Sequence, residues 1–373
     1  MLKDKLKKAF GVFIVIVILF VLGVIIESGD DRKSYVTENH KDVREELDIE
    51  IADNIYELYG LMRAHFIDVG QGDCVFIELG NGQTMLIDAG NSENGDEIVS
   101  YIQELQYSDI NYVVATHPHD DHIGGMAEVL KNFEIEAMYM PNALHTSYTF
   151  ENLLNVIEQE NIELNVAENG VNILNSGPIS IEILSPTEEE DELNNSSAVI
   201  KLIYGETSFL FMGDAETHIE NDIINSDADI DIDVLKVGHH GSDTSTSTNF
   251  IEETSPEIAV ISCGKDNMYG HPDDSVLSIL NENNIKTYRT DDVGTIMVTA
   301  DSKDNISVDK NASEIKENAP PEETVQGEQL FRTYTGECYH RGTCSYLKSK
   351  IEVTIDEAKN MGLRPCSRCH PPK

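Results

Sequence analysis

The sequence predicts an α+β layered domain, with one membrane-spanning helix before it and a small zinc-binding module after it. Three observations carry that expectation. Residues 9–26 are uncharged and apolar. From Met62 to about Val308 the chain passes from strand–turn–strand pairs to alternating strand-like and helix-like stretches, the pattern of sheets covered by helices. Four of the six cysteines fall in the last 36 residues, too uneven for a disulfide framework spread over the chain.

The N-terminal elements come first. Residues 1–8, MLKDKLKK, hold four lysines, and the apolar run that follows contains GVFIVIVILFVLGVII. At about 1.5 Å per helical residue it just crosses a hydrocarbon core of ~30 Å. The basic flank is expected to stay cytoplasmic and to send everything after Glu27 outward. The run ends in VIIESGDD with no Ala-x-Ala cleavage signal, which favours an uncleaved signal anchor in the cell membrane over a cleaved secretory peptide. Residues 27–61 are polar and read as a stalk.

Residues 62–309 hold the layered domain. AHFIDVG, CVFIELG and TMLIDAG are successive strands, with Asn81-Gly82 as a hairpin turn. GDEIVSYIQELQ has helical periodicity and leads into the strand YVVATH. AVIKLIYG and SFLFMGD form a second expected hairpin, followed by the strands DVLKVGHH, PEIAVISCG, IKTYRT and GTIMVTA. Cys74 and Cys263 lie in apolar strands and read as buried thiols. Residues 310–330 are rich in Pro and Glu, a linker composition, and 331–373 form the closing module.

Charge narrows the function classes. There are 68 Asp and Glu against 26 Lys and Arg, a formal charge of -42, which excludes a generic polycationic nucleic-acid binder. A phosphate ester remains admissible as substrate, because bound metal supplies positive charge locally. The charge is unevenly spread. Residues 1–8 and 331–373 are net basic, and only eight Lys or Arg fall in 62–309.

The densest chemistry lies at residues 113–125, VVATHPHDDHIGG. A strand delivers His117, His119, Asp120, Asp121 and His122 into one loop, and a glycine pair opens the next helix. Imidazole and carboxylate together suit Zn²⁺, Mn²⁺ or iron. A turn can aim His117 and His119 at one ion, and Asp121 and His122 at a neighbour.

This HxHxDH loop resembles the signature of the metallo-β-lactamase-fold hydrolases. Together with HFIDVGQGDCVFIE, LIDAG, GDAE and LKVGHHGS, it is similar to the hydrolase domain of the ComEC-type competence proteins and to related choline-phosphate esterases. The resemblance covers about residues 62–309 and implies an αββα sandwich with one or two metal ions, Zn²⁺ or Mn²⁺. It implies that His117 and His119 bind one metal, that Asp121 and His122 bind the other, and that Asp214 bridges them. Either His239 or His240 completes the second set. Asp68 and Asp88 are implied to orient ligand imidazoles. A third histidine expected before the bridging Asp is missing, and LNNSSAVIKL occupies that stretch. Asn194, Asn195 or Ser196 stands in its place, or His145 reaches in from its loop, so the first metal is expected to be weakly held. Asp121 or Asp214 is positioned to take a proton from metal-bound water, and His271 to meet the phosphate or leaving group. The amides of Gly241 and Ser242 are weaker candidates for oxyanion contacts.

In the tail, Cys366 and Cys369 form a CxxC knuckle, with His340 and Cys344 upstream. That spacing closes a tetrahedral site around a short helix, TIDEAKNMG, and the tail resembles the Ada-type metal-binding domain. The expected ligands of a structural Zn²⁺ are His340, Cys344, Cys366 and Cys369, with Cys338 spare. Replacement of His340 by Cys338, or two disulfides, are the rival readings.

The expected function is a membrane-anchored, outward-facing metal-dependent hydrolase, a phosphodiesterase or nuclease, acting on nucleic acid or a cell-wall phosphodiester. The alternatives are a lactonase or β-lactamase, and a non-catalytic surface protein that binds nucleic acid through its tail.

Overall fold

The computed structural model describes residues 59–313 apart from 189 and 191, and 330–333, 338–342, 344, 349–366, 368–369 and 371 of the C-terminal part. Among these residues no helix is long and apolar enough to cross a membrane. The anchor expected at 9–26 lies outside them.

Residues 59–313 form an αββα sandwich. Strict alternation along each strand sends every second side chain to the inner face, and the registers show how the strands assemble. The first sheet begins with two hairpins. Met62–Phe66 pairs antiparallel with Val75–Glu78, and Val75–Glu78 with Thr84–Ile87 across the Asn81-Gly82 turn. It then turns parallel through Asp109–Val114, Glu134–Met140 and Leu164–Val166. Ile296–Ala300 and Ile306–Val308 close its other edge. The second sheet is also mixed. Asn172–Ser176, Ile179–Ser185, Val199–Tyr204 and Thr207–Phe211 are antiparallel, and Val234–Lys236, Ile258–Ile261 and Lys286–Arg289 continue in parallel.

The main core lies between the sheets. Phe66, Ile77 and Val298 of the first meet Ile181, Phe209 and Phe211 of the second, and Phe66 stacks on Phe211 with ring centroids 6.1 Å apart. Neighbouring residues point outward to meet helices. Phe76, Leu86 and Val113 pack under Gly95–Glu104, Met126–Asn132 and Tyr148–Glu160. Leu210, Leu235 and Ala259 pack under Thr217–Ile224, Thr248–Thr254 and Asp274–Glu282. Burying both faces of both sheets explains why these strands read as nearly continuous apolar runs.

Tyr59 packs against the core, and the Gly60 amide donates to Gly80 O at 2.7 Å. The end of the expected stalk is therefore tied to the sandwich. At the other end Ser313 N donates to Thr287 O at 2.8 Å.

The C-terminal part is a separate compact unit, Lys316–Lys373. Its described strands run in the order Ile351–Val353, Leu330–Arg332, Cys338–Arg341, Arg364–Pro365. Leu330, placed by sequence at the end of the linker, is a buried strand residue here. Thr354 caps the helix Ile355–Asn360 by accepting from Glu357 N, and the Glu357 carboxylate accepts from Thr354 N, a reciprocal capping box.

Candidate metal centre

Four chain segments converge where the parallel strands of the two sheets end. The loop after Asp109–Val114 brings His117 to the cleft, and the short helix Asp120–Ile123 brings Asp121 and His122. The turn after Thr207–Phe211 brings Asp214, and a tight turn at Gly238–Gly241 brings His239 and His240. His117, His122, Asp214 and His240 are all essentially buried. Two groups of donors result, each with its atoms within 4.8 Å of one another: His117, His119 and Asp214, and Asp121, His122 and His240.

Asp214 stands between them. Its Oδ2 lies 3.8 Å from His117 Nε2, and its Oδ1 lies 3.2 Å from His122 Nε2 and 3.4 Å from His240 Nε2. The paired histidines differ in burial, and both bring Nε2 toward Asp214, with His239 Nε2 lying 3.7 Å from Oδ2. His240 turns inward, with Nε2 also 3.4 Å from Asp121 Oδ2. His239 is partly exposed at the mouth, where Nδ1 meets Thr244 Oγ1 at 3.0 Å and Asn194 Nδ2 lies 3.4 Å from Nε2.

The outer contacts of these imidazoles define what their inner nitrogens can do. Asp88 lies 2.8 Å from His122 Nδ1 and also accepts from Thr116 N and Oγ1. His240 Nδ1 donates to Ser262 O at 3.0 Å. With Nδ1–H committed outward on both rings, both Nε2 atoms present lone pairs to the cleft. His122 Nε2, His240 Nε2 and Asp214 Oδ1 are buried and have no hydrogen-bond partner among the described residues. Acceptor facing acceptor at 3.2–3.4 Å is tolerable only with a cation between them or with extra protons on the rings.

The charges agree. Asp73, Asp88, Asp121 and Asp214 surround the site, and among the described residues the Lys236 ammonium pairs with Asp73. Burial opposes ionisation of Asp214, yet His122, His240 and His117 hold it well below the usual carboxylate range. Burial likewise opposes protonation of His240, yet Asp214, Asp73 and Asp121 push it up to about 10. His122 is raised well above its usual value, against burial, by Asp214 and Asp88. The surroundings of His122 and His240 favour positive charge, burial keeps His117 and His119 neutral, and imidazole–carboxylate donors of this kind fit a divalent cation.

Two sequence expectations are corrected. Asp68 is exposed, and its carboxylate accepts from Gly70 N at 3.1 Å as a turn residue. It orients no imidazole. A buried carboxylate lies five residues on: Asp73 Oδ1 is 3.2 Å from His240 Nδ1, beside the Ser262 carbonyl that takes its hydrogen, and Asp73 Oδ2 is 2.9 Å from Lys236 Nζ. Gly72 makes this possible. Its φ is +148°, and a Cβ there would meet Asp121 O at 2.4 Å, while Asp73 N donates to that same oxygen at 3.1 Å. The second correction concerns Ser242, whose amide donates to His239 O at 2.9 Å and is not free to bind an oxyanion.

The cleft has a volume of about 360 Å³ and is also lined by Gln71, His145, Asn194, Tyr269 and His271. Asn194 therefore faces the cleft, whereas Asn195 accepts from Glu216 N at 3.2 Å and Ser196 from no cleft group, donating to Leu193 O at 2.6 Å. His145 reaches in from its loop, its ring centroid 6.0 Å from that of His119. His145 Nδ1, Asn194 Oδ1 and His271 Nδ1 are buried with no hydrogen-bond partner among the described residues. Sequence reasoning missed Asp73, Lys236 and Tyr269. The only available hint was an aspartate and a lysine inside runs that already matched family motifs.

In the C-terminal unit, His340, Cys344, Cys366 and Cys369 place four donor atoms within 4.8 Å of one another. Cys344 and Cys366 Sγ are 4.0 Å apart, twice a disulfide length, and all six cysteines are free thiols. Cys338 stands outside the group.

The sandwich and its His/Asp centre define a class, the metallo-β-lactamase superfamily. The chain belongs to it: the family pattern matches residues 67–265, just over half the sequence. Within it, the domain is related to bacterial competence proteins. The chain is 32% identical over 200 residues to ComE operon protein 3 of Bacillus subtilis, covering 53% of this chain and 26% of that protein. It is 36% identical over 115 residues to competence protein ComA of Neisseria gonorrhoeae, covering 30% of this chain and 17% of that protein. The chain thus spans about a quarter or less of these relatives. Among solved structures, the metallo-beta-lactamase fold protein YhfI from Bacillus subtilis superposes with a TM-score of 0.44 at 10% identity, covering 65% of this chain and all of that one.

Proposed function

We propose that this chain is a metal-dependent phosphodiesterase acting on a nucleic-acid or related phosphodiester backbone. The observation that carries the reading is the pair of adjoining donor sets sharing Asp214, whose two oxygens face opposite sets. One or two Zn²⁺ or Mn²⁺ ions held there supply a water of lowered pKa and a clamp on the oxygens of an in-line displacement. The second set, with Asp121, His122, His240 and a shared Asp214, is the richer and fills first. The first relies on His117, His119 and the other Asp214 oxygen.

The chain's own residues then have definite tasks. Asp121, half-buried at the cleft wall, accepts the proton of the attacking water. His271 lines the cleft and gives a proton to the departing oxygen. Asn194 holds a non-bridging phosphate oxygen through its amide. Asp88 and the Ser262 carbonyl keep His122 and His240 in the tautomer that leaves Nε2 free. In the wider reading the segment 9–26 anchors the chain in the cell membrane, the hydrolase faces outward, and the basic tail, built on structural Zn²⁺, grips the polyanion.

The decisive assay offers the 373-residue chain, loaded with Mn²⁺ or Zn²⁺, bis-p-nitrophenyl phosphate, linear DNA and a chromogenic β-lactam. Turnover of the two phosphodiesters is expected. Turnover of the β-lactam alone sinks the proposal in favour of carbonyl chemistry. Binding of DNA with no metal-dependent turnover of anything points to a surface binding protein.

A further inference from the structure

We infer that Tyr269 is a specificity residue that stacks on an unpaired nucleobase next to the scissile phosphate, so that the substrate is a single strand or a frayed strand end. The inference rests on the phosphodiesterase reading and deepens it. Tyr269 lines the cleft, yet its side chain is 66% exposed, and its neighbour Met268 is 86% exposed. Of the exposed large hydrophobic residues described, Tyr269 is the one that lines the cleft.

This exposure is presented by an organised turn. Asn267 Oδ1 accepts from the amides of Tyr269, Gly270 and His271 at 2.9–3.1 Å. Its Nδ2 donates to Gly264 O at 2.8 Å and also to His271 O. One side chain thus braces both ends of the turn and fixes where the tyrosine stands.

Aromatic rings lead outward from the metal centre. His271 sits 5.5 Å from His239, centroid to centroid, and Tyr269 lies 5.8 Å from His271 with the ring planes 26° apart. A flat ligand ring laid on Tyr269 extends that line away from the reacting phosphate. A quaternary ammonium group is held differently, by aromatic faces converging from several sides. Here the only ring contact of Tyr269 among the described residues is nearly parallel, and the chain has no tryptophan. The geometry favours a planar base over a choline-type headgroup.

Charge strengthens the argument. No Lys or Arg lines the cleft among the described residues, while Asp120, Asp121 and Asp214 do. Within the cleft, flanking phosphates therefore gain nothing from ion pairs beside the metals, and binding next to the scissile bond has to come from stacking. Bases inside a duplex keep their faces covered by their neighbours, which restricts this contact to unpaired ones.

The test uses the intact chain with Mn²⁺ and three substrates: oligothymidylate, an abasic phosphodiester strand of equal length, and glycerophosphocholine. Tyr269→Ala is expected to raise KM for oligothymidylate by about 5- to 150-fold, the range of one base–aromatic stack. The abasic strand should be cleaved equally by wild type and variant, and Tyr269→Trp should restore the preference. Because the chain has no tryptophan, Tyr269→Trp also supplies a lone indole, excited selectively to the red of the tyrosines. Its emission should be quenched by oligothymidylate, with Ca²⁺ replacing Mn²⁺, and not by the abasic strand. Equal effects of Tyr269→Ala on both strands, or unquenched tryptophan, overturn the inference. So does a loss confined to glycerophosphocholine, which assigns the residue to a quaternary ammonium. Quenching without cleavage of any substrate keeps base stacking and rejects the hydrolase.

Discussion

The two candidate metal sites of this chain solve opposite problems. The cleft centre is set on strand ends of a sandwich that already buries three apolar layers, so its donors are positioned whether or not a cation is bound. The tail cluster sits in a unit whose described core amounts to Leu330, Tyr339, Val353 and Ala358. A core that small supplies little folding energy, and a metal held by His340, Cys344, Cys366 and Cys369 would supply the rest. In the first region the fold makes the site. In the second the site would make the fold.

Chelation should give the largest effect and the clearest break. Structural zinc contributes about 10–16 kcal/mol in small zinc domains, so metal removal is expected to unfold the tail and leave the sandwich folded. Thiol alkylation followed by mass spectrometry reads this directly. After chelation Cys338, Cys344, Cys366 and Cys369 should react, while Cys74 and Cys263, each 0% exposed in the sandwich, stay protected. Modification of all six would show that the cleft, too, needs its metal to fold.

The Asp73–Lys236 pair comes next. Both are buried, 2.9 Å apart, and Lys236→Met leaves a carboxylate without its partner, at a cost of about 3–5 kcal/mol. Thermal melting should show this loss, and Asp73→Asn in the same chain should recover much of it. No recovery would mean that the lysine acts through its packing.

A smaller effect is expected at Asp88. Asp88→Asn keeps the shape but loses the charge that orients His122, and should weaken metal binding at the cleft about 10- to 100-fold, measured by competition with a chromogenic chelator. The tail should hold its metal unchanged.

The metal-free network around His65 gives a baseline for both sites. His65 Nδ1 meets Tyr101 Oη at 2.9 Å, and its Nε2 meets Glu78 at 3.0 Å. Burial depresses the His65 pKa despite Glu78. The Glu78 pKa is also depressed: burial opposes this, and Tyr107, His65 and Arg63 outweigh it. For both groups the unfolded chain binds protons more readily than the folded one, so each favours folding at higher pH. The His65 contribution is complete above about 6.5 and fades as pH falls below it. The Glu78 contribution is complete above about 4.5 and fades below that. A His65→Asn chain should therefore lose melting temperature less steeply than wild type between pH 6.5 and 5. An unchanged slope would place that pH sensitivity elsewhere.

Much of this molecule is legible from its residues one at a time. Period-two strands, Asn81-Gly82, the TIDE capping box and the crowding of ligand-type residues at 117–122 depend on local chemistry, and local chemistry is written in consecutive letters. The CxxC knuckle and its upstream His340 and Cys344 belong to the same kind, because few chain paths close a small module. The misses have one cause. Asp68 and Asp73 sit in the same FIDVGQGD run, and nothing local shows which of them turns inward. That depends on Gly72 passing close to Asp121, 49 residues away. His239 and His240 are likewise equal in sequence, and it is the Ser262 carbonyl, 22 residues on, that backs the buried His240 while His239 stays partly exposed. Tyr269 looked like any loop tyrosine until its turn was seen to open on the cleft.

By itself, then, the sequence determined the layered α+β class, the residues able to bind metal and the uneven spread of charge, because composition, periodicity and short spacings are properties of neighbours along the chain. Tertiary structure alone decided which carboxylate meets which imidazole, which of two adjacent histidines is buried and which aromatic ring stands at the mouth. Those are contacts between segments dozens of residues apart, and their direction exists only once the two sheets have packed.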